Sequence, residues 1–194
     1  KYAFLGSIRN IAQLISYEVS IGILVLTVLL LNYQLPMNSI NIDYLNEHYN
    51  NFSFNFISLL YNQIYLPYLF SLFPLFLLFF ISSLAETNRT PFDLAEAESE
   101  LIAGYIVEFG GFSFAAIYLA EYAFVLSMSL IGSILFIGST NGIIISIMIY
   151  LFILIRATLP RIKYIDLMRL GWLVILPISI IMLILTSLLI FIFA

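Results

Sequence analysis

The chain has 194 residues, of which 63% are hydrophobic and only 9% are charged. A soluble domain carries about 25% charged residues, so this composition excludes a soluble protein. The absence of Cys and the presence of a single His exclude disulfides, thiolate metal sites and most His-based metal sites, so no metal centre is predicted.

Five apolar runs come close to the roughly 20 residues that a helix needs to cross a bilayer. Because the runs lack the alternating pattern of barrel strands, we predict an all-α integral membrane protein with five transmembrane helices in one domain. The predicted spans are residues 11–31, 64–85, 112–137, 142–155 and 171–193. An Asn- and Tyr-rich loop of residues 32–62 follows the first span, and an acidic loop of residues 86–111 follows the second.

The basic residues all fall on one predicted side of the membrane. Five spans place the N-terminus, the acidic loop and the last loop together, and that side holds Lys1, Arg9, Arg89, Arg156, Arg161, Lys163 and Arg169. The opposite loop holds Asp43, Glu47 and His48. This split follows the positive-inside rule and places the N-terminus in the cytoplasm or the mitochondrial matrix.

The acidic loop opens with the stretch AETNRTPFDLAEAESELIAGYIVE, residues 85–108, which holds six of the chain's 11 acidic residues. Burying six acids at mid-bilayer would cost roughly 15–20 kcal/mol, so the loop is predicted to lie outside the lipid. Thr90, Pro91 and Asp93 form a helix-start pattern of cap, first-turn proline and acid. This pattern predicts a short acidic helix from Pro91 to about Ala103.

Three carboxylates share one face of that predicted helix. At about 100° per residue, Asp93, Glu96 and Glu100 lie close together, whereas Glu98 points the other way. Like charges on one face are expected to raise the pKa of at least one carboxylate in such a group. The alternative interpretation is a solvated acidic loop.

Two further acids lie inside predicted spans. Glu18 lies about seven residues into the first span, and Glu121 lies near the middle of the third. Ionisable residues inside a membrane are costly and are typical of proton or ion paths. The alternative is an acid that pairs with a polar neighbour for packing alone. No basic residue is predicted at the depth of Glu121, so a protonated carboxyl or a partner from another chain is expected there.

Three segments carry a resemblance to a known family. They are AETNRTPFDLAEAESELIAGYIVEFGG followed by LAEY, LGSIRNIAQLISYEVS near the N-terminus, and LIRATLPRIKYIDLMRLGW before the last span. Together they closely resemble subunit 1 of the proton-pumping NADH:ubiquinone oxidoreductases, respiratory complex I. The resemblance covers nearly the whole chain but only the C-terminal part of the family's usual length. It implies either a fragment or a split subunit, in which a second polypeptide supplies the three N-terminal helices.

The resemblance implies a subunit that contributes to the ubiquinone-binding chamber and to a proton-relay path. The carboxylates of that path would be Glu18, Glu86, Asp93, Glu96, Glu100, Glu108 and Glu121. Arg89 would hold a carboxylate in place by charge-assisted hydrogen bonds. Phe114 and Tyr118 are candidate contacts for the quinone tail, and ordinary helix packing is the alternative for both. The family's usual residues are replaced at Ile144, Ile165 and Leu173, which weakens the case for basic residues in the last two spans.

By the same resemblance, ubiquinone is the substrate, whereas NAD, FMN and iron–sulfur clusters belong to partner subunits. The implied partners are the hydrophilic-arm subunits at the quinone site, the antiporter-like membrane subunits and membrane lipids, with no nucleic acid. A composition rich in Ile, Phe, Asn and Tyr favours the mitochondrial inner membrane over a bacterial plasma membrane. The alternative functions are the homologous membrane subunit of a hydrogenase-type complex and a stand-alone ion-coupled transporter.

Overall fold

The computed structural model describes residues 2–34, 63, 69, 72–93 and 110–193. These residues form helices joined by turns, and they contain no strand. The helices are α1 Tyr2–Gln34, α2 Phe73–Glu86, α3 Phe112–Gly132, α4 Gly142–Thr158, α5 Tyr164–Arg169 and α6 Leu176–Phe193. Two π-helical segments, Ser133–Ile137 and Leu170–Ile175, extend α3 and join α5 to α6. The prediction of an all-α fold is confirmed.

Three helical stretches of the described chain are long and apolar enough to cross a bilayer. They are Phe4–Leu31, Phe112–Ile137 and Tyr164–Leu189, of 28, 26 and 26 residues. The helices Phe73–Glu86 and Gly142–Thr158 are apolar but shorter. Large apolar side chains are exposed on the long helical stretches, such as Leu119 on the second and Leu173 on the third. Such a surface suits a hydrocarbon solvent, as expected of an integral membrane protein; the five crossings and their orientation stay predictions.

Several helices extend beyond the predicted spans. An apolar run predicts only the part of a helix that lies in lipid, and it does not predict where the helix begins or ends. Helix α1 begins at Tyr2 instead of residue 11, and the last helical stretch begins at Tyr164 instead of residue 171. Neither extension contains a proline that would break it. Helix α4 ends at Thr158, because Leu159 precedes Pro160 and adopts an extended conformation.

The predicted start of a helix at Pro91 is wrong. Residues Pro91–Asp93 form a turn, in which the Phe92 N–H donates to the Arg89 carbonyl oxygen at 2.8 Å. The Pro91 carbonyl oxygen accepts the Ile162 N–H at 3.0 Å, so a tertiary contact takes the place of a helical hydrogen bond. Residues 94–103 of the predicted helix lie outside the described residues, as does most of the predicted 32–62 loop.

The core lies where α1 packs against α2 and α6. Tyr17, Leu24 and Val28 of α1 are fully buried, and the Tyr17 hydroxyl donates to the Leu167 carbonyl oxygen at 2.9 Å. Buried serines such as Ser20 on the same helix donate to carbonyls of their own helix. Small residues that satisfy their own hydrogen bonds let membrane helices approach closely, which accounts for this polar but tightly packed interface.

Aromatic rings join α2 to the π-helical end of α3 and to α4. Phe76 and Phe79 of α2 pack on Phe136, with ring centroids 5.3 and 5.5 Å apart. Phe80 packs on Phe152 of α4 at 4.8 Å. These contacts hold the first two turns of α2 against α3 and α4, and the candidate site starts at the opposite end of the same helix.

Candidate functional site

The turn after α2, which we call the 87–93 segment, is held against α1 by side-chain hydrogen bonds. Gln13 Nε2 donates to the carbonyl oxygens of Ala85 and Phe92, at 2.6 and 3.0 Å. Asn88 Nδ2 donates to Asn10 Oδ1 at 2.9 Å. Asn88 has a φ of 50°, a left-handed conformation that asparagine adopts more readily than most residues. These bonds fix the path of the backbone between α2 and the residues that follow.

Arg89 of this segment forms an ion pair with Glu121 of α3. Arg89 Nη2 lies 2.7 Å from Glu121 Oε2, and the two side chains are only 13% and 14% exposed. The guanidinium also lies over the rings of Tyr122 and Tyr118, 4.7 and 5.9 Å from their centroids. The expectation that no basic residue reaches Glu121 is therefore wrong. The 87–93 segment folds back toward α3 and brings in a cation that separation along the chain does not reveal.

A cavity of about 190 Å³ lies beside this ion pair, between α2, the 87–93 segment, α3 and α4. Its lining residues are Leu84, Thr87, Arg89, Tyr122, Val125, Leu126, Ile149, Phe152, Ile153 and Arg156. The wall is apolar except for Thr87, Tyr122 and the two arginines. Arg156 is exposed, whereas the Arg89 side chain is only 13% exposed, so the charge of Arg89 acts in surroundings of lower dielectric constant than water. This chemistry suits an apolar ligand with polar edge groups.

A second ion pair anchors the far end of the 87–93 segment. Arg161 Nη2 lies 2.9 Å from Asp93 Oδ2, and the Asp93 side chain is 13% exposed. The Thr90 hydroxyl donates to the Arg156 carbonyl oxygen at 3.4 Å. Thr90 therefore binds the last turn of α4 and Asp93 binds the connection between α4 and α5, and neither caps a helix that starts at Pro91.

Glu18 and Glu86 lie near each other where α1 meets the end of α2. The Glu18 side chain is exposed, whereas Glu86, one residue beyond the predicted second span, is partly buried. Burial, together with the negative charge of Glu18, raises the pKa of Glu86 from 4.5 to about 7. Glu86 therefore exchanges a proton close to neutral pH.

The raised pKa of Glu86 predicts a titration that can be measured. The folded chain binds this proton more tightly than the unfolded chain, so the proton stabilises the fold most below about pH 4.5 and this contribution is lost as the pH rises through about 7. Infrared spectra should show a protonated-carboxyl band that disappears with a midpoint near pH 7 and is missing in Glu86→Gln. A band that persists in Glu86→Gln with the same midpoint would contradict the assignment.

The structure describes four of the seven predicted carboxylates. Glu96, Glu100 and Glu108 lie outside the described residues, together with Glu98. Phe114 and Tyr118 are in edge contact, with ring centroids 4.8 Å apart, and Phe114 is exposed. Within the described residues, no group of three or more His, Asp or Glu side chains is placed to hold a metal ion.

Three polar residues of the site were missed from the sequence. Arg156 lines the cavity, Arg161 pairs with Asp93, and Gln13 holds the 87–93 segment. The two arginines were noted only as part of the one-sided basic charge. The one signal in the sequence that pointed to Gln13 was an amide side chain inside a predicted span, since a polar group there needs a partner.

The fold and the site together define a helical integral membrane protein with a buried ion pair beside an apolar cavity. A family model described as NADH dehydrogenase matches residues 1–187, so the chain belongs to the NADH dehydrogenase family. It is 42% identical over 204 residues to a subunit of the NADH-quinone oxidoreductase of Pelagibacter ubique, covering 96% of this chain and 56% of the relative.

Two other relatives give the same picture. The chain is 42% identical to NADH-ubiquinone oxidoreductase chain 1 of Metridium senile, over 98% of this chain and 56% of the relative. It is 40% identical to NADH-ubiquinone oxidoreductase chain 1 of Chondrus crispus, over 92% of this chain and 54% of the relative. The chain thus spans about half the length of the curated relatives that it matches.

Proposed function

We propose that this chain belongs to the quinone-site and proton-relay membrane subunit of a proton-translocating NADH:quinone oxidoreductase. Membership of the family and the names of its relatives, subunits of NADH-quinone and NADH-ubiquinone oxidoreductases, support this function. The observation that carries the proposal is the Arg89–Glu121 ion pair, which is buried beside an apolar cavity.

A buried ion pair responds strongly to charge that appears next to it. Two unit charges 4 Å apart interact by about 4 kcal/mol at an effective dielectric constant of about 20, against about 1 kcal/mol in water. Reduction of a quinone in the cavity places negative charge near Arg89 and Arg156, which line its wall. That charge competes with Glu121 for Arg89, so the protonation of Glu121 depends on the redox state of the substrate. This competition couples electron transfer to proton movement.

The other carboxylates extend this coupling along the subunit. Glu86 exchanges a proton near neutral pH, and Glu18 is close enough to influence it. Asp93, which belongs to the 87–93 segment, is held by Arg161 from the connection after α4. We assign Glu96, Glu100 and Glu108, which follow in the same motif, to the same proton path.

The quinone site is shared with other polypeptides. The cavity of about 190 Å³ is smaller than the usual 300–1,000 Å³ of a small-molecule site, so it suits only part of a quinone. Phe114 and Tyr118 lie about two turns and one turn before Glu121 on α3, respectively, and are placed to contact the apolar tail. Subunits of the hydrophilic arm would supply the remaining wall.

Exposed Glu18 supports a membrane partner. A carboxylate that faces lipid is costly, so a neighbouring subunit with polar groups is expected to cover this face of α1. We assign this place to an antiporter-like subunit, and the three N-terminal helices of the family to a second polypeptide. NAD, FMN and iron–sulfur clusters would be held by partner subunits, and the complex would lie in the mitochondrial inner membrane with the N-terminus in the matrix.

Glu121→Gln in the assembled enzyme tests the proposal. The amide keeps the size and an acceptor oxygen but cannot take up a proton at neutral pH, so coupled NADH–quinone turnover should fall by about 100-fold, the lower end of what a positioned proton-transfer group contributes. Turnover and proton uptake are measured in reconstituted vesicles and normalised to the amount of assembled complex.

Ser127→Ala on the same helix is the matched control. Ser127 is exposed and donates to the Phe124 carbonyl of its own helix, so its loss should leave turnover unchanged. Full turnover and proton pumping in Glu121→Gln would refute the proposed role of this carboxylate.

A further inference from the structure

Gln13 is a buried amide that joins two distant points of the chain. Its side chain is fully buried on α1, and Nε2 donates to the carbonyl oxygens of Ala85 and Phe92 at 2.6 and 3.0 Å. The Ala85 carbonyl lies in the last turn of α2, and the Phe92 carbonyl lies near the end of the turn that follows α2. One side chain therefore sets the distance between the two ends of the stretch 85–92.

The stretch between these carbonyls carries two charged residues of the site. Arg89 reaches Glu121 on one side, and Glu86 lies near Glu18 on the other. The turn has backbone hydrogen bonds of its own, from Asn88 N–H to the Ala85 carbonyl oxygen and from Phe92 N–H to the Arg89 carbonyl oxygen, and contacts from α1 fix where the turn lies against the neighbouring elements. Asn10 holds the middle of the turn through Asn88, while Gln13 holds both ends.

The energetic balance favours a specific role over simple packing. A buried amide is costly unless its hydrogen bonds are made, and an apolar residue of the same size would suit a membrane helix better. Ser16, Ser20 and Thr27 on the same helix donate to carbonyls of α1, whereas the Gln13 amide donates twice to another segment. The geometry thus ties α1 directly to the backbone that places Arg89.

We propose that Gln13 is a positioning residue, which directs the Arg89 guanidinium to Glu121 by fixing the two ends of the 85–92 turn. The inference rests on the proposed function, because it gives Gln13 a part in the same turnover. Without the amide, the two carbonyls lose their shared donor and the turn widens. Arg89 then moves relative to Glu121, although none of the residues that line the cavity has been replaced.

Gln13→Leu in the assembled enzyme tests this role. It keeps the size of the side chain and removes both donors, so kcat for NADH–quinone turnover should fall by about 10-fold or more, since a misplacement of about 1 Å costs up to 100-fold. KM for quinone should change by less than about twofold, because cavity residues are retained. A cryo-electron microscopy structure of the variant should show the Arg89–Glu121 contact lengthened beyond 2.7 Å.

Ser20→Ala is the control, because Ser20 is equally buried on α1 but donates to its own helix. It should keep the wild-type kcat. NADH oxidation with a water-soluble acceptor measures the amount of assembled complex for each variant. If Gln13→Leu does not assemble, Gln13→Asn decides: its amide is too short to reach both carbonyls, so the same loss of kcat supports the role and wild-type kcat overturns it.

The outcomes separate this inference from the proposed function. If Glu121→Gln lowers turnover but Gln13→Leu keeps both kcat and the Arg89–Glu121 contact, the positioning role is overturned and the function stands. If Glu121→Gln has no effect while Gln13→Leu still displaces Arg89, the function fails and the structural link between Gln13 and Arg89 is supported.

Discussion

Arg89→Met is expected to lower the free energy of unfolding of the chain by about 3–5 kcal/mol, the usual effect of removing one partner of a buried ion pair. Arg89 and Glu121 are both largely shielded from water, and Met leaves the Glu121 carboxylate without its counter-ion. Met keeps the unbranched stem that packs in the cavity wall, so most of the loss comes from charge. Unfolding in mixed detergent micelles can be followed by fluorescence of Trp172, the single Trp.

The double variant Arg89→Met with Glu121→Met separates stability from activity. Replacing a whole buried ion pair by apolar residues of similar size is often neutral or stabilising, so the double variant should recover most of the lost stability. Under the proposed function both charges take part in NADH–quinone turnover, so the assembled enzyme should nevertheless stay inactive. Recovery of turnover along with stability would mean that the ion pair serves only the fold.

Gly138→Ala is expected to destabilise the chain by about 2–5 kcal/mol. Two costs add at this residue, the strain of alanine in a left-handed backbone conformation and the steric clash of its Cβ. Gly138 has a φ of +66° directly after the π-helical end of α3, and an added Cβ would collide with Cβ of Gln63. Gln63 cannot move away freely, since its Nε2 donates to the Leu135 carbonyl oxygen at 2.9 Å. The same fluorescence-detected unfolding measures the loss.

Gly142→Ala supplies the matched control for that prediction. Gly142 opens α4, and no heavy atom lies within 4 Å of an added Cβ. Alanine is favoured over glycine in helices by roughly 0.5–1 kcal/mol, so this variant should be as stable as the wild type or slightly more stable. Equal stability of the Gly138→Ala and Gly142→Ala variants would show that the turn after α3 relaxes without cost.

Composition and apolar run length were enough to predict the class of fold. In lipid, runs of about 20 apolar residues without strand-like alternation satisfy their backbone as helices, so the prediction of an all-α membrane protein did not depend on tertiary contacts. The same runs misplaced the ends of α1 and of the last helical stretch, since helices continue into polar residues such as Arg9 and Asp166. Helix ends depend on breakers and neighbouring contacts that hydropathy does not report.

For the candidate site too, the sequence predicted some features and the tertiary structure decided others. The unusual positions of Glu18, Glu86, Arg89 and Glu121 were visible in the sequence, because charge inside an apolar chain is conspicuous. The pairing of these charges was not visible. Arg89, in the turn after α2, pairs with Glu121 on α3, and Asp93 pairs with Arg161 beyond α4. The predicted cap at Thr90 and Pro91 failed because local helix-start preferences are worth about 1 kcal/mol, less than the combined contacts to the α4–α5 connection.

By itself, the sequence determined that this protein is a helical membrane protein of the NADH dehydrogenase family, with carboxylates concentrated around one loop and inside two helices. Tertiary structure alone decided that the turn after α2 folds back, that Arg89 neutralises Glu121 and that Gln13 holds the turn in place. The physical reason is the range of the interactions. Hydropathy and helix formation act between near neighbours in the chain, whereas ion pairs and buried hydrogen bonds form only after the helices have packed.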